Sequence, residues 1–391
     1  MLLRNLKVSG LLSFGPTGID LPLRPLNVFI GANGSGKSNL LEVLSLLRAA
    51  PSKLPNPVKE MGGIDEWLWK GVAATNVATV EAIVEYPHAL AGGQSLPLCH
   101  ELKITKHGDR FEVADEKIEN ERPRGNNSET YFFYQYRQGN PWLNTHTGTQ
   151  RQLKRANILP EESILSQVRD PEEYPELAWL QTKYEEIALY RNWSFGPASK
   201  LRLDQKTDSR SSHLADDGHN LANVLSNIQK KSKSALLESI QELLGDVTDF
   251  GIELNGPSVR VYLDEGERQT PASRLSDGTL RYLCLLAILL HPQPPAIVAI
   301  EEPELGLHPD IIPHVAKLLI QASSRMQLFV TTHSRVLIDC LSATPEDVIV
   351  CSKTNGQSCF ERLEATALAQ WLARYSLGEL WSKGQLGGNR W

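Results

Sequence analysis

Cysteine is scarce in this sequence, and long apolar runs are missing. Only five of the 391 residues are cysteine, and no two of them form a CxxC pair. This usage argues against a disulfide framework and favours a reducing compartment, the cytoplasm, where thiols pack as small apolar groups. The longest apolar run, "YLCLLAILL" at 282–290, is far shorter than the roughly 18 residues that span a bilayer. Because the N-terminal "MLLRNLKVSG" also lacks a small-residue cleavage site, we expect neither a membrane association nor a signal peptide.

An overall excess of basic charge is missing as well. The net charge is −6, and 22% of the residues are charged, which is ordinary for a globular protein. Only residues 191–235 have a clear excess of basic over acidic side chains, with eight basic and four acidic ones. The sequence thus excludes a chain that is basic throughout. For 191–235 it leaves two interpretations, a local basic surface or a solvated helix face.

The two ends of the chain are rich in alternating strand and helix patterns. "PLNVFIG" at 25–31 predicts a buried strand, which a glycine-rich turn and a leucine-rich helix follow. Beyond residue 260 the pattern predicts helices at 280–290 and 310–321 and strands at 296–300, 327–332 and 348–351. This order predicts a parallel sheet with helices on both faces.

The middle of the chain has weaker patterns. We expect strands at 77–86 and 100–118 and a helix at 174–190. A further helix is predicted after Asp216 and Asp217, continuing to Leu244 before Gly245.

The stretch "GANGSGKS" at 31–38 fits G-x-x-x-x-G-K-[ST] and has the strand before it and the helix after it that this motif requires. Its glycines allow backbone N–H groups to surround phosphate oxygens, and the helix N-terminus adds positive potential. Lys37 would reach the β- and γ-phosphates, and the Ser38 hydroxyl would bind Mg²⁺. The nucleotide-binding candidates are Gly31, Asn33, Gly34, Ser35, Gly36, Lys37, Ser38 and Asn39.

An acidic cluster follows the strand at 296–300, in "AIVAIEEPELGLHP". Three carboxylates within four residues repel one another unless a cation lies among them. Glu301 would bind the metal directly or through water, and Glu302 would polarise the attacking water as general base. Most P-loop proteins have Asp where Glu301 stands, so the details of metal coordination stay open.

Two further polar motifs lie before and after the acidic cluster in the sequence. In "SRLSDGTLRYL" (273–283), Ser276 and the amide of Gly278 form either a plain helix cap or a second anion-binding site. In "FVTTHS" (329–334), His333 ends a strand where it could donate a hydrogen bond to the γ-phosphate, so we favour a functional role over a structural one.

In this order, the P-loop, "LSDGT", "IEEPE", "LGLHP" and "TTHS" resemble the ATP-binding-cassette ATPases of the RecF, SMC and OLD-like kind. More closely, the chain is similar to small bacterial predicted ATPases of the AAA-21 or AAA-15 type. "DGHNLANVL" and the tail "SLGELWSKGQLGGNRW" are also similar to that subgroup. The resemblance covers roughly residues 1–90 and 270–391 and is weaker between them.

The resemblance implies an α/β P-loop NTPase fold, with a mixed or parallel sheet flanked by helices and a helical insertion lobe. The head would comprise 1–160 and 261–391, and the insertion 161–260. It also implies a homodimer that sandwiches two ATP with Mg²⁺, with Ser276 and Gly278 acting on the partner's nucleotide. Glu302 would be the catalytic base, His333 the switch and 304–310 the dimer-facing loop.

A glutamine normally senses Mg²⁺ in such proteins. Gln167 is the candidate here, and Gln135 and Gln138 compete with it. Ser13 and Phe14 are candidates for contacts with the adenine.

Two hypotheses about function follow. In the first, ATP closes the dimer, and the motion is used on DNA or a DNA-bound partner in repair, recombination or phage defence. In the second, the ATPase regulates a separate effector protein encoded nearby without touching DNA. A transporter subunit fits poorly, because 237 residues separate Ser38 from Ser276.

Overall fold

The computed structural model of the protein describes residues 1–73, 75–87, 95–124, 128–137, 140–145, 147–191 and 193–387. The strands are β1 (Leu3–Ser9), β2 (Ile19–Pro22), β3 (Leu26–Gly31), β4 (Val77–Val84), β5 (Leu98–His107), β6 (Arg110–Asn120), β7 (Phe132–Arg137), β8 (Asn140–Asn144), β9 (Gln150–Gln152), β10 (Ala188–Tyr190), β11 (Gln205–Lys206), β12 (Asp249–Asn255), β13 (Ser258–Glu265), β14 (Arg268–Pro271), β15 (Ile297–Glu301), β16 (Gln327–Thr332), β17 (Val348–Thr354) and β18 (Gln357–Arg362). The α-helices are α1 (Lys37–Ala49), α2 (Pro55–Glu60), α3 (Ile64–Trp67), α4 (Ile164–Gln167), α5 (Pro175–Glu185), α6 (Leu221–Leu243), α7 (Asp277–Leu289), α8 (Ile312–Ala322), α9 (Arg335–Asp339), α10 (Ala365–Leu372) and α11 (Leu377–Ser382).

The sheet that carries the P-loop has the strand order β10-β15-β16-β3-β17-β18 in the described part of the chain. Neighbouring strands from β10 to β17 pair in parallel, and β18 closes the edge antiparallel to β17. The predicted parallel sheet is therefore confirmed. The carboxyl ends of β3, β15 and β16 meet at one edge of it, where a ligand site is expected in this class of fold.

This sheet divides the core into two. Along β3 the side chains alternate, so Phe29 packs in one apolar cluster while Val28 and Ile30 pack in the other. The strand β16 does the same, with Phe329 stacked against Phe29 at a ring-centroid distance of 6.2 Å. Burial on both faces explains why these strands read as continuous apolar runs in the sequence.

A second, antiparallel sheet has the order β2-β1-β4-β5-β6-β7-β8-β9 among the described residues. The prediction of one strand at 100–118 was wrong. The chain turns at Gly108, in the left-handed region at φ 60°, and β5 and β6 form a hairpin. The helix predicted at 174–190 ends at Glu185, because Ala188–Tyr190 pairs in parallel with β15 as strand β10.

Residues 161–260, the predicted insertion, contain both helices and strands. The helix predicted after Asp216 and Asp217 is confirmed as α6, which runs from Leu221 to Leu243 and is kinked at Ser232. Behind it, β11, β12 and β14 pair antiparallel with β13 in a small third sheet. The division of the chain at residues 160 and 260 stays a prediction.

Helix α7 contains the apolar run 282–290 except for its last residue. Its side chains from Thr279 to Leu289 are all buried, as expected for a helix that is apolar around its whole circumference. None of the helices in the described ranges combines the length and the apolar character needed to cross a bilayer.

Candidate functional site

The P-loop curls tightly between β3 and α1. Gly34 and Gly36 have φ of 76° and 102°, values that favour glycine because it lacks a Cβ. At Gly36 a Cβ would also lie 2.1 Å from the Ser358 hydroxyl oxygen. The loop therefore requires glycine at this position for both conformation and space.

Lys37 begins α1 and lies almost wholly buried beneath the loop. Its ammonium donates hydrogen bonds to the carbonyls of Gly31, at 2.7 Å, and Ala32, at 3.1 Å. Burial lowers the pKa of this amine from its usual value. The charge is thus held at the end of β3 and close to the acidic cluster.

Ser38 and Glu301 bring the P-loop and the acidic strand together. The Ser38 hydroxyl donates to Oε1 of Glu301, while Oε2 of the same carboxylate accepts from Nε of Arg191 at 3.2 Å. Arg191 also donates through Nη1 to Glu42 of α1, at 2.6 Å. Four side chains from α1, β15 and the end of β10 thus form one continuous polar network.

Glu302 stands in a strained backbone conformation. Its φ is 47°, in the left-handed region that costs an ordinary residue about 1–2 kcal/mol. The turn is held by its amide, which donates to the Thr331 carbonyl at 3.0 Å, and by Arg281, whose guanidinium donates to the Glu302 carbonyl at 2.6 Å. That guanidinium also lies over the rings of Trp193 and Phe195, at 5.1 and 5.5 Å from their centroids.

Glu304 organises the loop after β16. One oxygen of its carboxylate accepts from the Thr332 hydroxyl at 2.7 Å and from the backbone amides of His333 and Ser334 at 2.9 and 3.2 Å. The third carboxylate of the acidic cluster is therefore used to orient the histidine, and its negative charge is offset by backbone donors.

His333 faces Glu302 across the cleft. Its Nε2 atom lies 3.7 Å from Oε1 of Glu302, and the imidazole is 37% exposed. Burial, and then the neighbouring Lys37, lowers the pKa of His333, so the ring is neutral at neutral pH. A neutral imidazole can donate one hydrogen bond and accept another.

These side chains line a cavity of about 280 Å³ at the carboxyl edge of the parallel sheet. Its lining residues are Asn33, Gly34, Gly36, Lys37, Ser38, Asn39, Glu301, Glu302, Thr331 and His333. The structure thus brings together nine of the fourteen residues predicted for nucleotide, metal and base. Gly31 and Ser35 belong to the same loop but are not part of the cavity lining.

The donors present suit a hard divalent cation such as Mg²⁺. The Ser38 hydroxyl and the Glu301 carboxylate are oxygen ligands in direct contact. Across the described ranges, no three His, Cys, Asp or Glu side chains group as a metal cage. Phosphate oxygens and water would therefore complete the coordination, which is how Mg²⁺ is usually bound.

The segment "LSDGT" at 275–279, called the signature from here on, lies apart from this cavity. Ser276 caps α7, with its hydroxyl accepting from the Thr279 amide at 3.0 Å, so the helix-cap interpretation holds within one chain. Gly278 packs against the acidic-cluster loop: a Cβ there would lie 2.8 Å from the Gly306 carbonyl oxygen. The structure does not bring Ser276 or Gly278 to their own P-loop.

Two of the glutamine candidates, Gln167 and Gln135, lie outside the cavity lining. The Gln167 amide is engaged locally, accepting from the Leu159 amide at 2.7 Å and donating to the Glu162 carbonyl at 3.0 Å. Gln135 lines a different cavity, on the antiparallel sheet, and Gln138 lies outside the described residues.

The two adenine candidates differ. Ser13 lies under the P-loop, where its hydroxyl accepts from Asn39 at 2.7 Å. The expectation for Phe14 was wrong, because its ring is fully buried and packs edge-on against Phe360 at 5.5 Å. No face of that ring is open to a base.

Sequence reasoning missed Arg191, Glu42 and Arg281 as parts of the site. Arg191 directly follows the short buried run "IALY", and a charged residue at the end of a parallel strand is a signal that could have drawn attention to it. Glu42 and Arg281 sit inside apolar helical patterns, where a charged residue at a buried position is the only signal.

Comparison with known proteins agrees with this arrangement. Two solved structures have a similar fold at 14% sequence identity. One, described as "Crystal structure of the SmcHead bound to the C-winged helix domain of ScpA", has a TM-score of 0.57 and covers 93% of this chain and 99% of its own. The other is an Smc head domain with an extended coiled coil, bound to the C-terminal domain of ScpA and derived from Pyrococcus furiosus; its TM-score is 0.56, covering 95% and 98%. The likeness establishes an SMC-head-like ATPase fold.

No curated protein sequence matches the chain significantly. A family model does match, over residues 26–78 and 105–339, and these ranges include the P-loop, signature, acidic cluster and His333. The chain therefore belongs to the AAA_21 family, described as "AAA domain, putative AbiEii toxin, Type IV TA system".

Proposed function

We propose that this protein binds ATP with Mg²⁺ and hydrolyses it to ADP and phosphate. The observation that carries the proposal is the contact between the Ser38 hydroxyl and the Glu301 carboxylate beneath the P-loop. It joins the two protein ligands that a P-loop ATPase uses for its metal ion. The metal would neutralise charge on the phosphates. The protein side chains would supply further positive charge, the general base and a hydrogen bond to the γ-phosphate.

Each side chain of the cleft has a task that suits its surroundings. Lys37 supplies positive charge at the phosphates. Glu302, with 36% of its side chain exposed, reaches into the cleft and accepts a proton from the attacking water as general base. His333 lies 3.7 Å from that carboxylate and, being neutral, can donate a hydrogen bond to the γ-phosphate while Glu304 holds its backbone.

We further propose that two copies close head to tail on ATP, each supplying Ser276 and Gly278 to the other's nucleotide. In support, Ser276 lies at the N-terminus of the thirteen-residue helix α7 and outside its own cavity. Leu305, in the loop proposed to face the partner, is 57% exposed although it is a large apolar residue. Burial of such a side chain would favour association.

The motion would act in a DNA-related process such as repair, recombination or phage defence. The basic bias of 191–235 supports this, although four of its eight basic residues already form ion pairs with acidic side chains. These are Arg191, Lys200, Arg202 and Lys233.

A regulatory ATPase that controls a separate effector protein is the second candidate. It is supported by the similar Smc heads, which are bound to another protein, ScpA, in the solved structures. The family description, which names a toxin system, points in the same direction.

Steady-state ATP hydrolysis measured against protein concentration tests these proposals, with and without duplex and single-stranded DNA. We expect the rate per subunit to rise with protein concentration, and Glu302→Gln to lower it by about 10²- to 10⁴-fold. Stimulation by DNA would favour the DNA-related role, and indifference to DNA would favour the effector. Equal rates for the wild type and Glu302→Gln would refute Glu302 as the base.

A further inference from the structure

Arg191 joins two carboxylates that belong to different parts of the ATP site. It directly follows β10, which pairs in parallel with β15. Its guanidinium donates to Glu42 at 2.6 Å and to Glu301 at 3.2 Å, and it is only 20% exposed. The contact with Glu42 alone would suffice to tie β10 to helix α1. The second contact goes to the carboxylate proposed to bind the metal.

Glu301 is thereby already paired with a cation. One of its oxygens accepts from the Ser38 hydroxyl and the other from Arg191, so both oxygens are occupied before any metal arrives. Counting Glu42, Glu301 and Arg191, the local charge is −1 with the arginine and −2 without it. A dication senses this difference at short range, and that electrostatic effect outweighs the loss of one hydrogen bond to Glu301.

We propose that the positive charge of Arg191 controls whether a divalent cation binds at the metal site, and we call this role a charge gate. This proposal rests on the proposed ATPase function. The Arg191 guanidinium holds Glu301 and suppresses binding of a divalent cation in the absence of nucleotide. The nucleotide phosphates carry the negative charge that the arginine cancels, so metal and nucleotide bind together. Arg191 is a positioning residue in this role, because it acts through Glu301.

The charge-gate proposal predicts a ranked series of affinities for Mn²⁺, used as a paramagnetic probe in the absence of nucleotide. Arg191→Gln leaves a charge of −2 and should bind Mn²⁺ at least tenfold more tightly than the wild type. Arg191→Lys keeps the positive charge and should stay within about threefold of the wild type. Glu42→Gln keeps the arginine, leaves no net local charge and should bind Mn²⁺ more weakly than the wild type.

The double variant Glu42→Gln/Arg191→Gln protects the test against a folding artefact. It restores the charge of −1 and also removes the buried carboxylate that Arg191→Gln leaves without its partner. We expect its Mn²⁺ affinity to return to within about threefold of the wild type. Melting temperatures of all variants confirm that each is folded under the conditions of the titration.

Two further variants show where the probe binds. Arg260 also bridges two carboxylates, Asp204 at 2.9 Å and Glu253 at 3.7 Å, in the small third sheet outside the cavity lining. Arg260→Gln should leave Mn²⁺ binding unchanged. Adding Glu301→Gln to Arg191→Gln should abolish the gain.

The titration is read by electron paramagnetic resonance of free Mn²⁺, without and then with a non-hydrolysable ATP analogue. Arg191→Gln binding no more tightly than Arg260→Gln without nucleotide would overturn the gate while leaving the ATPase proposal standing, provided that the wild type binds Mn²⁺ with the analogue. A gain that survives Glu301→Gln would also overturn the gate. A wild type that binds neither the analogue nor Mn²⁺ with it would overturn both proposals.

Discussion

Two glutamates of this protein, Glu116 and Glu301, have similar partners and opposite surroundings. Each accepts a hydrogen bond from a serine hydroxyl, Ser163 in one case and Ser38 in the other. Each also lies beside a basic side chain. Glu116, on the antiparallel sheet, is 2% exposed, whereas Glu301, at the edge of the parallel sheet, is 19% exposed.

The Glu116 network is closed. Its carboxylate accepts from Ser163, from the Ile164 amide at 2.7 Å and from His100 at 3.0 Å, and His100 in turn contacts the Tyr184 hydroxyl at 3.1 Å. All four side chains are essentially inaccessible. Such a network has no room for a ligand, and it ties β5 and β6 to the helices α4 and α5.

The Glu301 network is open on one side. It borders the cavity, it neighbours the strained Glu302, and the buried Oε2 of Glu304 has no hydrogen-bond partner among the residues that the structure describes. Strain and unsatisfied polar atoms persist in folded proteins mainly where function requires them. The comparison therefore indicates that hydrogen-bond satisfaction and burial, rather than residue type, distinguish a carboxylate that only stabilises the fold from one that is a candidate for binding a ligand.

The largest effect on stability should come from breaking the closed network. Glu116→Ala removes the acceptor of three buried donors: the Ser163 hydroxyl, the Ile164 amide and Nε2 of His100. We expect a loss of about 3–5 kcal/mol in the free energy of unfolding, and a fall in melting temperature of roughly 5 °C or more.

Glu101→Ala is the control, since Glu101 lies one strand away and pairs with Lys103 at 2.8 Å near the surface. Its loss should cost at most about 1 kcal/mol. ATP binding by the Glu116 variant, measured well below its melting temperature, should be unchanged. A stability loss equal to that of the control would contradict the structural role of the closed network.

A smaller effect, on catalysis, should follow from loosening the turn at Glu302. Arg281→Lys keeps the charge but loses the planar group that donates to the Glu302 carbonyl while lying over Trp193 and Phe195. We expect hydrolysis to slow by roughly tenfold, or about 1.4 kcal/mol in the activation barrier, with a change in KM below about threefold.

Arg325→Lys is a control for that substitution. Arg325 is more exposed than the buried Arg281, and it also donates to two backbone carbonyls, those of His291 and Leu289, both at 2.5 Å. It touches none of the cavity-lining residues by these bonds. Equal rate losses in the two variants would show that Arg281 acts through general stability and not through Glu302.

Local sequence pattern predicted well the strands of the parallel sheet that border the cavity. The P-loop, the acidic strand and the strand before His333 are each short and contiguous, so the buried runs of β3 and β16 and the polar residues after them were visible directly. The β5–β6 hairpin was missed although "HGDR" contains a turn glycine, because apolar alternation continues on both sides of it.

The contacts of Arg191 could not have been predicted in the same way. Its partners lie 149 and 110 residues away in the chain, and only the pairing of β10 with β15 brings them together. The direction in which Gln167 faces could not be predicted for a related reason, since no local sequence pattern shows it. Long-range partners depend on topology, which neither residue spacing nor composition specifies.

The smallest effect concerns His291, a buried histidine outside the Glu116 and Glu301 networks. Nδ1 of His291 accepts from the Gln293 amide at 3.2 Å; among the described residues no well-formed hydrogen bond reaches the buried Nε2, although the Ser211 backbone lies near the ring. Burial lowers the pKa of His291, so the folded protein binds a proton here less readily than the unfolded chain, whose histidine has a pKa of about 6.5. Stability from this group is therefore complete above about pH 7 and is lost as the pH falls below about 6.5, until the folded-state pKa is reached.

His291→Gln should accordingly lose less stability than the wild type when the pH is lowered from 7.5 to 5.5, by at most about 1.4 kcal/mol per pH unit. Part of the pH dependence will remain, because burial also lowers the pKa of His213 and of His314. Melting temperatures at several pH values measure the difference, with the exposed His107→Gln as control. If the melting temperatures of the wild type and His291→Gln depend on pH in the same way, the prediction is wrong. Water would then solvate Nε2 of His291 as it solvates an exposed histidine.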